Sequence, residues 1–216
     1  MKKTTKTKKK IKRGTFIVLD SGEGAGKTLQ LNKAKEYFGD KILITREPGG
    51  SPYAEQIREL ILHSVYAGQA SSKTLFALFW AARADHLEKT IRPALEKGLT
   101  VITDRFDSST FSYQIAAQGS RDLEKLFWQI RATFLADLKP DLYIYLDVDP
   151  KIGLARKSGQ GPEELNHFEA RKIDFHNKQR AGMKEFMKKV PHKVIDAAGT
   201  IEEVWTEFKN ILEERI

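Results

Sequence analysis

The 216 residues, 40% of them hydrophobic, suffice for one sizeable core, and no shift in composition divides the chain. The absence of Cys excludes disulfides, thiolate metal sites and a cysteine nucleophile, and the five His show no metal-ligand spacing. The formal net charge of +8 resides in the first 13 residues, whose eight Lys and Arg, taken from 37, leave 29 basic against 29 acidic residues in a neutral body.

The amino-terminal stretch "MKKTTKTKKKIKR", residues 1–13, has no apolar run behind its charges and so does not read as a secretory signal. It is expected to be a disordered, solvated arm, with contact to nucleic acid or an acidic partner as the alternative. Residues 14–216 are expected to form a single domain. The longest apolar stretch, "LFALFWAA" from Leu75 to Ala82, is too short to cross a bilayer, and a cytoplasmic protein is expected.

From Thr15 onward, short β-branched runs alternate with longer segments of helical periodicity. The runs are "TFIVLD" (Thr15 to Asp20), "KILIT" (Lys41 to Thr45), "LTVIT" (Leu99 to Thr103), "LYIYL" (Leu142 to Leu146) and "KVID" (Lys193 to Asp196). This alternation predicts a parallel sheet with helices on both faces, and function at the carboxyl ends of the strands. Ser51 before Pro52 and Asp149 before Pro150 mark helix starts, and Gly98 marks a stop. Pro93 is expected to kink or divide the helical region from Lys73 to Lys97. The Gly, Ser and Pro of "KSGQGPEE", Lys157 to Glu164, predict a mobile interruption between two helices.

After the first strand stands "SGEGAGKT", Ser21 to Thr28. The order of strand, glycine-rich loop and helix is what phosphate binding requires. Gly22, Gly24 and Gly26, with Ala25 between the last two, let backbone N–H groups converge on phosphate at a helix N-terminus. Lys27 neutralises phosphate charge, and the Thr28 hydroxyl can bind magnesium. Asp104, at the end of the third strand, supplies the second magnesium ligand, directly or through water. Together these predict binding of Mg2+ and ATP. No guanine-binding Asn-Lys-x-Asp motif is present.

The second strand ends in "TREPGGS", and the third in "DRFDSSTFSYQ". Arg46 and Arg105, at adjacent strand ends, suit a bidentate grip on a second anion; alone, each would more often be a surface ion pair. In "FWAAR", Phe79 and Arg83 share one helix face, as a base-stacking ring and a carbonyl donor would, although periodicity alone favours a core Phe79.

These motifs, with "FWAARADH" and "IRPALEKG", resemble the thymidylate kinase family in order and spacing from about Phe16 to the C-terminus. The resemblance implies a P-loop NMP-kinase fold with a five-stranded parallel β-sheet, a homodimer, and transfer of the ATP γ-phosphate to dTMP, giving dTDP and ADP in dTTP biosynthesis. It places Arg46 and Arg105 on the dTMP phosphate, Phe79 on thymine, Arg83 on a base carbonyl, and Tyr113 and Gln114 in the thymidine pocket. Glu23 would face the acceptor's deoxyribose. Lys27, Arg105 and a cation of the lid, residues 153–167, would stabilise the transferring phosphoryl group, the lid cation being either Arg156, the first choice, or Lys157. The chain departs from the family in three places: Ser21 replaces Gly, "DRF" replaces "DRY" or "DRH", and the lid has no further base between Lys157 and Arg171. The remaining alternatives are another nucleoside monophosphate acceptor, such as dUMP, and a nucleic-acid-stimulated P-loop ATPase that uses the basic arm.

Overall fold

The computed structural model describes residues 12–158 and 167–216. Most of the basic arm and the middle of the expected lid lie outside these residues. Arg13, counted with the arm, belongs to the folded body: its guanidinium donates to the Asp141 carboxylate at 2.8 Å.

Among the described residues five strands form one parallel sheet: β1 (Phe16–Ser21), β2 (Ile42–Arg46), β3 (Thr100–Asp104), β4 (Leu142–Asp147) and β5 (His192–Asp196), in the order β2-β3-β1-β4-β5. The expected fold class, α/β with helices on both faces, is what this arrangement gives. Central β1 is buried along its whole length, so its alternate side chains supply two cores rather than one apolar and one wet face. Phe16 and Val18 join the first core, with Trp80, Phe111, Phe127 and Phe186. Ile17 and Leu19 join the second, with helices α1 (Lys27–Phe38) and α9 (Ile201–Glu213) through Leu31, Ala34, Val204 and Phe208. Helix α9 begins in a capping box in which Thr200 and Glu203 satisfy each other's backbone N–H groups, worth about 1 kcal/mol.

The first core is covered by α3 (Ser72–His86), α4 (Arg92–Glu96), α6 (Glu124–Leu135) and α8 (Ile173–Met187). Between α3 and α4 the backbone widens into a π-helical turn at Leu87–Ile91. The break expected at Pro93 is therefore taken up one turn earlier, because proline cannot donate and its ring crowds the carbonyl four residues before it. A second π-helical segment, Phe111–Ala117, extends the short helix α5 (Asp107–Thr110). Helix α2 (Pro52–Leu62) packs its Ala54, Ile57 and Ile61 against Leu75, Ala82 and Tyr113 in a third cluster, which encloses one side of the site.

Candidate active site

The carboxyl ends of β1, β2 and β3 open into a cavity of about 340 Å3. At the end of β1 the chain turns through residues 22–26 into α1, with Gly24 and Gly26 at φ 67° and 81°, where a side chain would strain the backbone. A Cβ on Gly24 would also collide with the carbonyl of Gly153, and one on Gly153 with the carbonyl of Glu23. The first turn of α7 (Pro150–Ser158) therefore lies directly against the loop, backbone on backbone. Helix α1 has no acid in its first turn, so its partial positive charge is open to an anion. Ser21 is buried, and its hydroxyl donates to the carbonyl of Gly22. Its replacement of glycine thus adds a bond inside the loop.

Lys27 forms an ion pair with Asp104 at the end of β3. The next residue, Arg105, sits at φ 66°, a conformation that costs a non-glycine residue about 1 kcal/mol or more. The strain is held by a backbone bond from Arg105 N–H to Leu19 and by the Thr103 hydroxyl, which donates to the Arg105 carbonyl. It turns the guanidinium onto the Ser21 carbonyl (2.9 Å), Asp20 (3.2 Å) and Glu23 (2.9 Å). Asp20, fully buried, accepts from the hydroxyls of Ser108 and Ser109 at 2.6 and 2.9 Å. Burial pushes its carboxyl up, against the pull of Arg105, Ser108, Lys27 and Ser109.

Burial would likewise raise Glu23. Here Arg105, Lys157, the Tyr113 hydroxyl and Lys27 together win, and the carboxyl is held down at about 2. Its Oε1 accepts from Arg105 and from Tyr113, both at 2.9 Å, and its Oε2 lies 3.5 Å from Lys157 Nζ. An acid in a phosphate loop is thus ionised and committed to Arg105, Lys157 and the Tyr113 hydroxyl. Burial also drives the Tyr113 hydroxyl well above its ordinary range, so it remains a donor.

Arg46, at the end of β2, lines the cavity and is paired with Glu55 of α2 at 3.0 Å. Arg58, one turn further along α2, lines the same wall and donates to the Pro48 carbonyl at 2.8 Å. Burial first, and then the neighbouring Arg46, lower its pKa. Two like charges held together beside a cavity are stabilised by an anion between them. Arg58 was not singled out in the sequence, where one Arg on an amphipathic helix carries no signal; its position three residues after Glu55, the partner of Arg46, is the only cue.

Phe79 is half-buried, packing against the third cluster while also lining the cavity; its ring lies 6.4 Å from that of Phe168. Arg83 is buried between the rings of Trp80 and Phe106, 4.5 and 4.9 Å from its central carbon. The Phe of "DRF" is thereby a platform for Arg83. Gln114 is fully buried on the cavity wall, and among the described residues neither of its amide atoms has a partner, nor does Arg83 Nη1. Unpaired buried polar atoms are costly. Three of them converging on one pole mark a place for a polar ligand edge.

Arg156, expected over the transferring phosphate, is not on the cavity wall. Its guanidinium donates to the carbonyls of Ala197 (2.6 Å), Ala198 (2.7 Å) and Gly199 (3.3 Å), in the loop after β5. Lys157 takes the position over the cavity, paired with Glu169 as well as Glu23. Gly153, locked against the loop, fixes the phase of α7. Relative to it Lys157, four residues on, points about 40° to one side and Arg156, three residues on, about 60° to the other, so the two side chains diverge by about 100°.

Among the described residues no group of three His, Cys, Asp or Glu could cage a metal. Thr28 and Asp104, both on the wall, instead offer one hydroxyl and one carboxylate. That sparse oxygen set would suit a magnesium ion brought in on a nucleotide rather than one caged by the protein. No helix among the described residues is long and apolar enough to cross a membrane.

Comparison with known proteins agrees with this geometry. The thymidylate kinase family model matches residues 19–208. The thymidylate kinase of Hahella chejuensis is 39% identical over 204 residues, covering 90% of this chain and 93% of its own. That of Bacillus licheniformis is 36% identical over 208 residues, covering 94% and 97%. The crystal structure of thymidylate kinase from Ehrlichia chaffeensis superposes with a TM-score of 0.72 at 28% identity, covering 93% of this chain and 99% of that one. The chain belongs to the thymidylate kinase family.

Proposed function

We propose that this protein transfers the γ-phosphate of ATP to dTMP, giving ADP and dTDP. The observation that carries the reading is the lining of one cavity: the cations Arg46, Arg58, Arg105 and Lys157 suit a phosphate, and Phe79, Arg83 and Gln114, the base-binding pole in this reading, suit a base. A nucleoside monophosphate asks for both.

In this reading the backbone N–H groups of residues 22–27 and Lys27 hold the ATP phosphates. Magnesium, held by the Thr28 hydroxyl and Asp104, would neutralise charge on the β- and γ-phosphates. Arg46 and Arg105 grip the acceptor phosphate, with Arg58 supporting Arg46. An acceptor oxygen attacks the γ-phosphorus in line while the bond to the β-γ bridging oxygen breaks, and ADP leaves with that electron pair. The acceptor is anionic near neutral pH, so no general base is needed. Glu23 accepts from the sugar hydroxyl and holds Arg105 and Lys157 apart at the centre of the site. Lys157 is the lid cation that meets the charge of the transferring group, and Arg156 secures α7 to the loop after β5. A homodimer is part of this reading, and exposed Leu126 and Phe134 on α6 offer apolar surface for it.

The reaction is tested with ATP labelled on its γ-phosphate. Label is expected in dTDP in proportion to ADP formed. Release of the label as inorganic phosphate, independent of dTMP, would contradict the assignment.

A further inference from the structure

The buried carboxylate of Glu47, which follows Arg46 at the end of β2, has no part in phosphoryl transfer, yet it organises the base-binding pole. It is 6% exposed. Its Oε2 accepts from Arg83 Nε at 2.8 Å, and its Oε1 lies 3.1 Å from His86 Nδ1. A carboxylate only accepts, so Nδ1 carries the proton, and the other ring nitrogen meets the Thr45 hydroxyl at 2.7 Å. Arg83 Nη2 lies 2.8 Å from the same carboxylate oxygen and donates to Thr110 at 3.2 Å. With Trp80 and Phe106 on the guanidinium, Nη1 alone remains to be directed at a ligand.

We propose that Glu47 is the positioning residue that makes the site select a 4-keto pyrimidine over a 4-amino one, an inference that rests on the dTMP reading above. The two unpaired groups at this pole differ in what they can distinguish. The Gln114 amide is both donor and acceptor and can rotate, so it satisfies the keto and N3–H edge of thymine and the amino and N3 edge of cytosine alike. A guanidinium only donates. In this proposal Nη1 is set against position 4 of the base; held rigidly there, Arg83 rewards a carbonyl and opposes an amino group, because two donors would face each other without an acceptor. That discrimination lasts only while Arg83 cannot turn away, and Glu47 supplies the constraint.

The test compares dTMP with 5-methyl-dCMP, which keeps the 5-methyl group and changes only the 4-substituent. In Glu47→Gln the amide presents a donor to Arg83 or to His86, and the guanidinium loses its fixed aim. The preference for dTMP is expected to fall about 10- to 100-fold, the range of one hydrogen bond to a charged group. The loss should lie in KM for dTMP, with 5-methyl-dCMP unchanged or improved. In an Arg83→Met background the same substitution should leave the preference unchanged. Parallel loss of both acceptors, or a change of preference in the Arg83→Met background, would overturn the proposal. If Glu47→Gln does not fold, Glu47→Asp keeps the charge and withdraws its oxygens by one methylene; a folded variant with wild-type preference overturns the proposal equally. Equal use of the two acceptors by the wild type would overturn the dTMP reading itself, and this inference with it.

Discussion

Replacing Glu23 with Gln removes one charge from the centre of the site and leaves the shape of the side chain intact. In the native protein the carboxyl is depressed from 4.5 to about 2, and at about 1.36 kcal/mol per unit this corresponds to about 3 kcal/mol of net favourable coupling. Gln forfeits most of it and leaves Arg105 and Lys157 facing each other without an intervening anion. In a domain of this size about 3 kcal/mol lowers Tm by roughly 6–12 °C. The direction with pH follows from the depressed value. The stabilisation is complete above the unfolded pKa and is lost as pH falls through the folded one, so about half of it is gone by pH 3. Thermal unfolding of wild type and Glu23→Gln, followed by circular dichroism at pH 7 and pH 3, reads both quantities. A gap of several degrees that narrows at pH 3 is expected. A gap under 2 °C at pH 7, or one equal at both pH values, would refute the reasoning.

Lys157→Ala is expected to lower kcat by at least 100-fold with little change in KM for dTMP, and Lys157→Arg to restore most of it; in coupled ADP-release assays, a larger kcat loss in Arg156→Ala would reverse the assignment of the two residues. Phe79→Ala should raise KM for dTMP by about 10-fold through lost stacking, and titration calorimetry showing unchanged acceptor affinity would remove the ring from the base site. Because Glu23 stays ionised down to about 2, the acid limb of kcat/KM should follow the second ionisation of the acceptor phosphate, near pH 6. The limb should be unmoved in Glu23→Gln, and a limb that shifts in that variant would assign it to the protein.

The sheet was legible because each strand is a short apolar run ending at a residue of unusual chemistry: Asp20, Arg46, Asp104. Arg46, Phe79, Arg83, Arg105, Tyr113 and Gln114 were legible through their motifs, and the structure brings them to one cavity. The roles of neighbouring residues were not. Whether Arg156 or Lys157 faces the loop depends on helical phase, and that phase is set by a backbone contact between Gly24 and Gly153, 129 residues apart in sequence. Periodicity within α7 cannot supply it. Arg58 and Glu47 were hidden for related reasons, since a surface-like helix and the turn residue of "TREPGG" become functional only through what α3 and β2 bring beside them. The unusual backbone of Arg105 carries no sequence mark either, because glycine is the residue that usually announces positive φ.

The central claim is that one cavity reads both ends of dTMP. The most direct measurement is kcat/KM with Mg-ATP for dTMP, dUMP, dCMP, dGMP and dAMP, by ADP release corrected for hydrolysis without acceptor. The account predicts dTMP first, dUMP behind it for want of the methyl group, and the other three near background. Turnover of dCMP or a purine nucleotide comparable to that of dTMP, or ADP release unaffected by any acceptor, would contradict it.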